Sequence, residues 1–117
     1  MKWFFFLAIA VFMSGCGESQ DKIDGTSRES YAKSCKGIMD SLSQTRKLEF
    51  ASALTNLGIM HFSEKRTPEE NASEVWKHVH GKTASEVINE AQNLNPQELL
   101  QQKRRVLEYN RQRNKSR

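Results

Sequence analysis

The feature that most constrains the fold is a series of helix-start signals spread over residues 26–98. The strongest is Thr67-Pro68-Glu69-Glu70, because proline suits the first helical position and the second glutamate can bond back to the N–H of the capping threonine. The other predicted starts are Thr26 with Glu29, Ser43, Thr83 with Glu86, and Asn95-Pro96 with Glu98. Caps at this spacing divide the chain into short helices.

Apolar residues follow each predicted start at helical spacing. The predicted inward faces are, in chain order, Tyr31, Ala32, Cys35, Ile38, Met39 and Leu42, then Leu48, Ala51, Leu54, Leu57, Gly58 and Phe62, then Ala72, Val75, Trp76 and Val79, then Val87, Ile88, Ala91 and Leu94, and finally Leu99, Leu100, Val106 and Leu107. No run alternates with a period of two, and no hairpin signal separates two apolar runs. The sequence therefore predicts an all-α fold, a small bundle of about four to five short helices joined by short turns.

The first sixteen residues differ in character from this helical part. Lys2 is followed by an apolar run over residues 3–13 and then by Ser14-Gly15-Cys16. One basic residue, about ten apolar residues and two small ones form the layout of a secretory signal. The run is too short to span a bilayer, which needs about 20 residues. It also lacks the polar face of a helix that packs on the core of a soluble domain.

The segment Met13-Ser14-Gly15-Cys16 resembles the lipobox of bacterial lipoproteins, in which leucine is commonest at the position of Met13. The resemblance covers residues 1–16 and implies cleavage between Gly15 and Cys16. It also implies a diacylglycerol and an acylated amine on Cys16, with no cofactor beyond this covalent lipid. A plain signal peptide is the alternative. In the lipoprotein class the residue after the cysteine influences sorting, and Gly17 is not the aspartate associated with inner-membrane retention, so we expect the outer membrane.

A second resemblance concerns the helical part. The segment Ile23-Asp24-Gly25-Thr26-Ser27, running into a helix that ends at Ser41-Leu42-Ser43, resembles the start of an uncharacterised family of small Gram-negative lipoproteins. The segment Gly81-Lys82-Thr83-Ala84-Ser85-Glu86-Val87-Ile88 resembles a later motif of that family. The likeness covers most of residues 21–95. It implies export to the envelope of a Gram-negative bacterium and brings no catalytic residues.

These features predict four parts: a signal peptide at 1–15, a lipidated cysteine with a flexible tether at 16–26, a helical domain at 27–109, and a basic, disordered tail at 110–117. Residues 17–26 are polar and contain glycine, which is typical of a flexible linker. Fully extended, these ten residues reach about 33 Å. After Leu107 only Tyr109 is apolar, so the end of the last helix is expected to lack contacts.

Acylation of Cys16 would leave Cys35 as the remaining thiol, so no disulfide could form within the chain. Cys35 lies on a predicted apolar helix face. We therefore expect a buried, unreactive thiol. Pairing of Cys35 between two chains is the alternative.

The last fifteen residues are strongly basic, with Glu108 the only acidic residue among them. The basic residues are Lys103, Arg104, Arg105, Arg111, Arg113, Lys115 and Arg117. They could contact phosphate-bearing lipid, anionic glycan or an acidic protein, and each charge near an anionic surface contributes about 1 kcal/mol. A solvated end without a partner fits the sequence equally well.

No metal or nucleotide site is predicted. Gly81-Lys82-Thr83 has the last three letters of a phosphate-binding P-loop, but Trp76 stands where that loop needs a glycine. The segment is better explained as a helix terminator followed by a helix cap. On a helix, His78 and His80 point about 200° apart. With His61 elsewhere, they do not form the ligand set that zinc requires.

No catalytic residues are predicted either. Glu69, Glu70 and Glu74 lie in the first turns of a helix, where acidic side chains offset the helix dipole. No serine or cysteine has a recognisable base partner. The chain is therefore not expected to be an enzyme.

The function predicted from the sequence is that of a non-catalytic lipoprotein that faces the periplasm and acts through protein or envelope contacts. Its expected partner is the membrane, reached through the lipid anchor, with a protein partner that no motif specifies. Export excludes nucleic acid, and no nucleotide is expected. Small size, an anchor and the lack of a catalytic constellation fit equally well an inhibitor or immunity protein that neutralises an enzyme acting in the periplasm.

Overall fold

The computed structural model describes residues 21–115, which form five α-helices. In chain order these are α1 (Arg28–Asp40), α2 (Gln44–Met60), α3 (Pro68–Val79), α4 (Ala84–Gln92) and α5 (Pro96–Lys115). Within residues 21–115 no strand forms, although an isolated bridge pairs Lys22 with Thr83. The predicted all-α bundle is confirmed. The predicted signal peptide, Gly15, Cys16 and Arg117 lie outside the described residues.

Four of the five helices begin at the caps read from the sequence. The side chain of Ser43 accepts a hydrogen bond from the first turn of α2. Asn95 does the same for α5 through its Oδ1 atom. Thr67 and Thr83 each form a capping box with the glutamate three residues later. Such caps satisfy N–H groups that have no partner within the helix.

Helix α1 begins one residue later than predicted. Its cap is Ser27, whose Oγ accepts from the N–H of Ser30 at 3.1 Å. The predicted cap, Thr26, instead donates its hydroxyl to Asp24 Oδ1 at 2.6 Å. The predicted pairing of Thr26 with Glu29 is therefore wrong, because Ser27 is the cap and Asp24 accepts hydrogen bonds from both the hydroxyl and the N–H of Thr26.

The core is centred on α2, which packs against α3, α4 and α5, while α1 packs against α3. Its largest fully buried side chains are Phe50, Ile23, Ile38, Leu57, Val79 and Val87. Tyr31, Met39, Leu54, Ala91 and Leu94 are partly buried against them. Each fully buried side chain of this kind contributes about 1.5–3 kcal/mol. Because this core lies between Ile23 and Leu94, a soluble form comprising residues 17–117 contains all of it.

Helix α2 is rotated relative to the predicted inward face, although Leu57 is buried as predicted and Leu54 is partly buried against the core. Leu48 is 64% exposed and Ala51 is also exposed, whereas Phe50, Ala53 and Leu57 are buried. Both sets recur at helical spacing, since α2 is apolar around much of its circumference. Packing against the other helices decides between them, and it selects the face that contains the large ring of Phe50.

The predicted inward faces of α1 and α4 agree more closely with the buried residues. On α4, Val87 and Ile88 are buried as predicted. On α1, Cys35 and Ile38 are buried, but Ala32 is exposed. These helices have clear polar faces, so their periodicity defines the inward side.

Residues 22–25, which precede α1, belong to the folded domain. Ile23 is 1% exposed and belongs to the core. Its N–H donates to the carbonyl of Lys82 at 2.9 Å, and its carbonyl accepts from the N–H of Gly81 at 2.8 Å. The tether prediction is wrong here because Ile23, the single large apolar residue among residues 17–26, is inserted between the helices.

Helix α5 extends further than predicted and continues to Lys115. Glu108 accepts hydrogen bonds from Arg111 and from Gln112, one turn further along. Pairs at this spacing stabilise an exposed helix. The prediction of disorder from residue 110 is therefore wrong for residues 110–115. None of the five described helices is both long enough and apolar enough to cross a bilayer.

Candidate functional site

Residues 22–25 form an N-terminal seat against the turn between α3 and α4. The N–H of Gly25 donates to Nδ1 of His80 at 2.9 Å. The backbone of Gly25 also lies directly against α3, so that an added Cβ would stand 2.0 Å from the Trp76 carbonyl oxygen. The N–H of Asp24 donates to Ser34 Oγ of α1 at 3.0 Å. The seat therefore fixes the point at which the chain from Cys16 enters the domain.

The three residues that resemble the end of a P-loop all serve this turn. Gly81 has a φ of +80°, in the left-handed region that favours glycine. The carbonyl of Lys82 accepts from Ile23, and Thr83 caps α4. Gly81-Lys82-Thr83 is thus a helix stop, a contact for the seat and a helix start.

Beside the seat, a partly buried polar cluster joins α3 to α4. The carboxylate of Glu90 bonds both to Nε2 of His78 and to Nζ of Lys82. Partial burial raises the pKa of Glu90, but the bonds from Lys82 and His78 outweigh it and lower the pKa overall. Glu90 is therefore held as a carboxylate that pairs with two donors.

The ring of His61, at the end of α2, lies against the ring of His78, with centroids 4.3 Å apart. Burial lowers the pKa of His61, and the neighbouring His78 lowers it further, against the opposing effect of Glu90 and Glu74. His61 is therefore favoured in its neutral form. Within residues 21–115, no group of three or more His, Cys, Asp or Glu side chains is arranged to hold a metal ion.

Cys35 is buried, as predicted. Burial raises the pKa of its thiol, although a hydrogen bond with Tyr31 lowers it in part. Burial also raises the pKa of Tyr31 to about 12. Because the thiolate is the reactive form, a raised pKa and a buried position make Cys35 a poor nucleophile.

The three glutamates of α3 have different surroundings. Glu70 bonds back to Thr67, and hydrogen bonds from the backbone and then the side chain of Thr67 lower its pKa. Glu69 is exposed in the first turn. Glu74 is half-buried and acts on His61 through its charge. They do not converge on one site.

Helix α5 holds the predicted basic residues at the surface. Those that the structure describes are all exposed: Lys103, Arg104, Arg105, Arg111, Arg113 and Lys115. The inner side of α5 is anchored by Gln102, whose Nε2 donates to the Phe62 carbonyl at 2.8 Å, and by Tyr109, whose ring lies 5.3 Å from that of Phe62. The basic residues are therefore carried by an ordered helix rather than by a loose tail.

The opposite side of α5 combines positive charge with exposed leucines. Leu100 is 50% exposed and Leu107 is 69% exposed. At about 100° per residue, Leu100, Lys103, Arg104, Leu107 and Arg111 fall within a sector of about 100°. We call these five residues the outer face of α5. The prediction that Leu100 and Leu107 point inward is wrong, because the side that packs on the bundle is occupied by Leu99 and Val106.

The sequence did not predict the seat, and it predicted only the basic part of the outer face. Ile23 gave a usable signal, since it is a lone large apolar residue in a polar segment, followed two residues later by glycine. The exposure of Leu100 and Leu107 gave no such signal. Leu99 and Leu100 are adjacent, so apolar character alone does not decide which of them faces the core.

One family model, described as "Family of unknown function (DUF6694)", matches residues 2–108. Comparisons with curated proteins and with solved structures find no match. The matched residues run from the start of the N-terminal apolar segment, through the seat and the first four helices, to Glu108 of α5. The chain therefore belongs to the Family of unknown function (DUF6694).

Proposed function

We propose that this chain is a small, non-catalytic lipoprotein, held at a membrane by acyl chains on Cys16, with its helical domain facing the periplasm. The observation that carries the proposal is the short apolar run that ends in Ser14-Gly15-Cys16. Each buried CH₂ group of an acyl chain contributes about 0.8 kcal/mol, so two or more chains give stable attachment. A helical domain without a membrane-spanning segment of its own would depend on such an anchor.

The extent of the family match supports this proposal. It begins at Lys2, so the basic residue, the apolar run and Cys16 belong to the same family pattern as the helical domain. The N-terminal segment is thus part of what characterises the family. Such a shared pattern is expected if attachment to a membrane is part of what the family's members do.

The N-terminal seat supports a close attachment to the membrane. Six residues separate Cys16 from the buried Ile23, and the seven Cα–Cα steps between these two residues reach at most about 25 Å. A tether ending at residue 26 would have reached further. The domain would therefore lie at the lipid surface, with the turn between α3 and α4 on the side nearest the anchor.

The polar groups of the domain support action through contacts rather than catalysis. Within residues 21–115, no buried side-chain nitrogen or oxygen atom lacks a hydrogen-bond partner. Glu90 is paired with His78 and Lys82, and His80 accepts from Gly25. These contacts hold the helices and the seat together, which accounts for the histidines without a reaction. The presence of Gly17 after Cys16 supports attachment to the outer membrane.

Fatty-acid labelling in a Gram-negative host tests the proposal. The wild-type chain should incorporate labelled palmitate and fractionate with membranes. Cys16→Ala should incorporate none and accumulate as an unprocessed precursor, because the acceptor sulfur is gone. Cys35→Ala is the matched control, since it removes the other cysteine of the chain and should be labelled like the wild type.

Two results would contradict the proposal. One is palmitate incorporation in Cys16→Ala. The other is a wild-type chain that is processed and released from membranes without label, as a plain signal peptide would produce. Either result would rule out lipidation of Cys16, and neither would bear on the helical fold.

A further inference from the structure

We infer that the outer face of α5 docks on a phospholipid surface that contains anionic headgroups. The inference deepens the proposed function and rests on it in one respect: the anchor on Cys16 brings the domain within reach of such a surface. It adds a second, non-covalent contact and names the residues that make it.

Two large apolar side chains are exposed on one side of α5. Leu100 and Leu107 lie two turns apart and are 50% and 69% exposed. Replacing either leucine with a polar residue would lower the stability of the fold little, because neither belongs to the core. Exposed leucines on one side of a charged helix are typical of helices that lie in a membrane interface.

Positive charge lies beside these two leucines. Lys103, Arg104 and Arg111 flank the two leucines and are exposed to solvent. No acidic residue falls within the sector that defines the outer face. Glu108 borders it and bonds to Arg111, which leaves Lys103 and Arg104 as the main positive charges beside the leucines. Their long side chains can extend to phosphate groups while the leucines reach the acyl boundary.

The pattern does not fit a helix that pairs with a second copy of α5. A coiled-coil seam needs apolar residues at spacings of both three and four, alternating along the helix. Here Leu107 is seven positions after Leu100, and the intervening position of the seam is Lys103 or Arg104. A second copy would place like charges opposite one another. An anionic surface is complementary along the whole face.

The outer face is accessible while the bundle stays folded. The inner side of α5 is held to the bundle by Gln102 and Tyr109, so the outer face points away from it. The 20-residue helix α5 is about 30 Å long. The outer face can therefore meet a bilayer while α5 keeps its contacts with the bundle.

Vesicle binding by the soluble form, residues 17–117, tests the inference without the lipid anchor. The probes are vesicles of phosphatidylcholine alone and of phosphatidylcholine mixed with phosphatidylglycerol, separated from free protein by sedimentation. We expect partition onto the mixed vesicles to be at least about tenfold stronger, and to fall as salt is added, because exposed charges are screened within about 8 Å at physiological ionic strength.

Substitutions separate the outer face from general positive charge. Lys103→Gln combined with Arg104→Gln should weaken partition about 30-fold. Leu107→Ser should weaken it about tenfold, since it removes apolar burial without altering charge. Lys33→Gln combined with Lys36→Gln is the charge-matched control on α1, and should change partition less than about twofold. Far-ultraviolet circular dichroism of each variant checks that the helices are retained.

Three results would overturn the inference. One is equal partition onto both kinds of vesicle, and another is an equal loss of partition in the α5 and α1 double variants. The third is a protein that does not bind vesicles but forms a concentration-dependent dimer, which Leu107→Ser abolishes. The last would make the outer face an interface between two copies. Palmitate labelling at Cys16 is independent of all these measurements, so failure of the docking face and failure of the anchor are told apart.

Discussion

Gly25 is the residue at which the N-terminal seat lies closest to the helices. Its backbone faces the carbonyl of Trp76, and an added Cβ would stand 2.0 Å from that oxygen. Gly25→Ala should therefore push the seat away from α3 and lower the free energy of unfolding by about 2–3 kcal/mol. Urea denaturation of the soluble form, residues 17–117, measures this loss.

Gly37 provides the matched control for Gly25. It lies within α1, and nothing stands within 4 Å of a Cβ added there. Gly37→Ala should stabilise the domain by about 0.5–1 kcal/mol, because alanine loses less backbone entropy in a helix than glycine does. Equal effects of the two substitutions would mean that the segment around Gly25 is not packed against α3.

His61 should make the stability of the domain depend on pH. Its pKa in the fold lies below the ordinary value of 6.5, chiefly through burial and then through His78. As the pH falls through 6.5, the unfolded chain takes up a proton that the folded state resists. Stability is therefore complete above this pH and is lost as the pH falls towards the folded pKa of His61.

Urea unfolding at about pH 7.5 and about pH 5.5 tests this dependence. The midpoint should be lower at the acidic pH, and His61→Gln should reduce the difference. Glu90, which neighbours His61, contributes little in this range, since its pKa lies below the ordinary value of 4.5. A difference between the two pH values that is unchanged in His61→Gln would rule out His61 as its source.

At the scale of the helix, α2 illustrates what periodicity leaves open. Phe50 and Leu48 are two residues apart and each begins an apolar series at helical spacing. The structure buries Phe50 completely and leaves Leu48 64% exposed. A helix with apolar residues around most of its circumference can bury any of several faces. Packing against the other helices therefore determines which face of α2 is buried.

Alanine substitutions at these two positions test the orientation of α2. Phe50→Ala should lower the free energy of unfolding by about 3–5 kcal/mol, because it leaves a cavity in the core. Leu48→Ala should change it by no more than about 0.5 kcal/mol. Thermal or urea denaturation of both variants gives the comparison. A larger loss for Leu48→Ala would restore the face that the sequence predicted.

The beginnings of the helices were the most predictable part of the fold. Thr67 and Thr83 each form the capping box that local sequence specifies, and Gly81 takes the left-handed conformation expected of it. A cap depends on residues within one turn, so local sequence determines it. The burial of Ile23 depends on the Gly81-Lys82 backbone nearly sixty residues later, which no local pattern encodes.

At the scale of the whole molecule, three features would act together at a membrane. Cys16 would carry the lipid, the seat around Ile23 would keep the domain close to it, and the outer face of α5 would supply a second contact. The sequence indicated the first of these and the basic residues of the third, but not the seat. In the structure Ile23 is buried within the predicted tether, and the basic residues of α5 lie on an ordered helix.

The lipid anchor can be measured as the intact mass of the protein purified from membranes of a Gram-negative host. We expect a mature chain that begins at Cys16 and carries the added mass of a diacylglycerol and an amide-linked acyl chain, with fragmentation locating both on that residue. A chain that begins at another residue, or at an unmodified Cys16, would mean that the protein is not a lipoprotein.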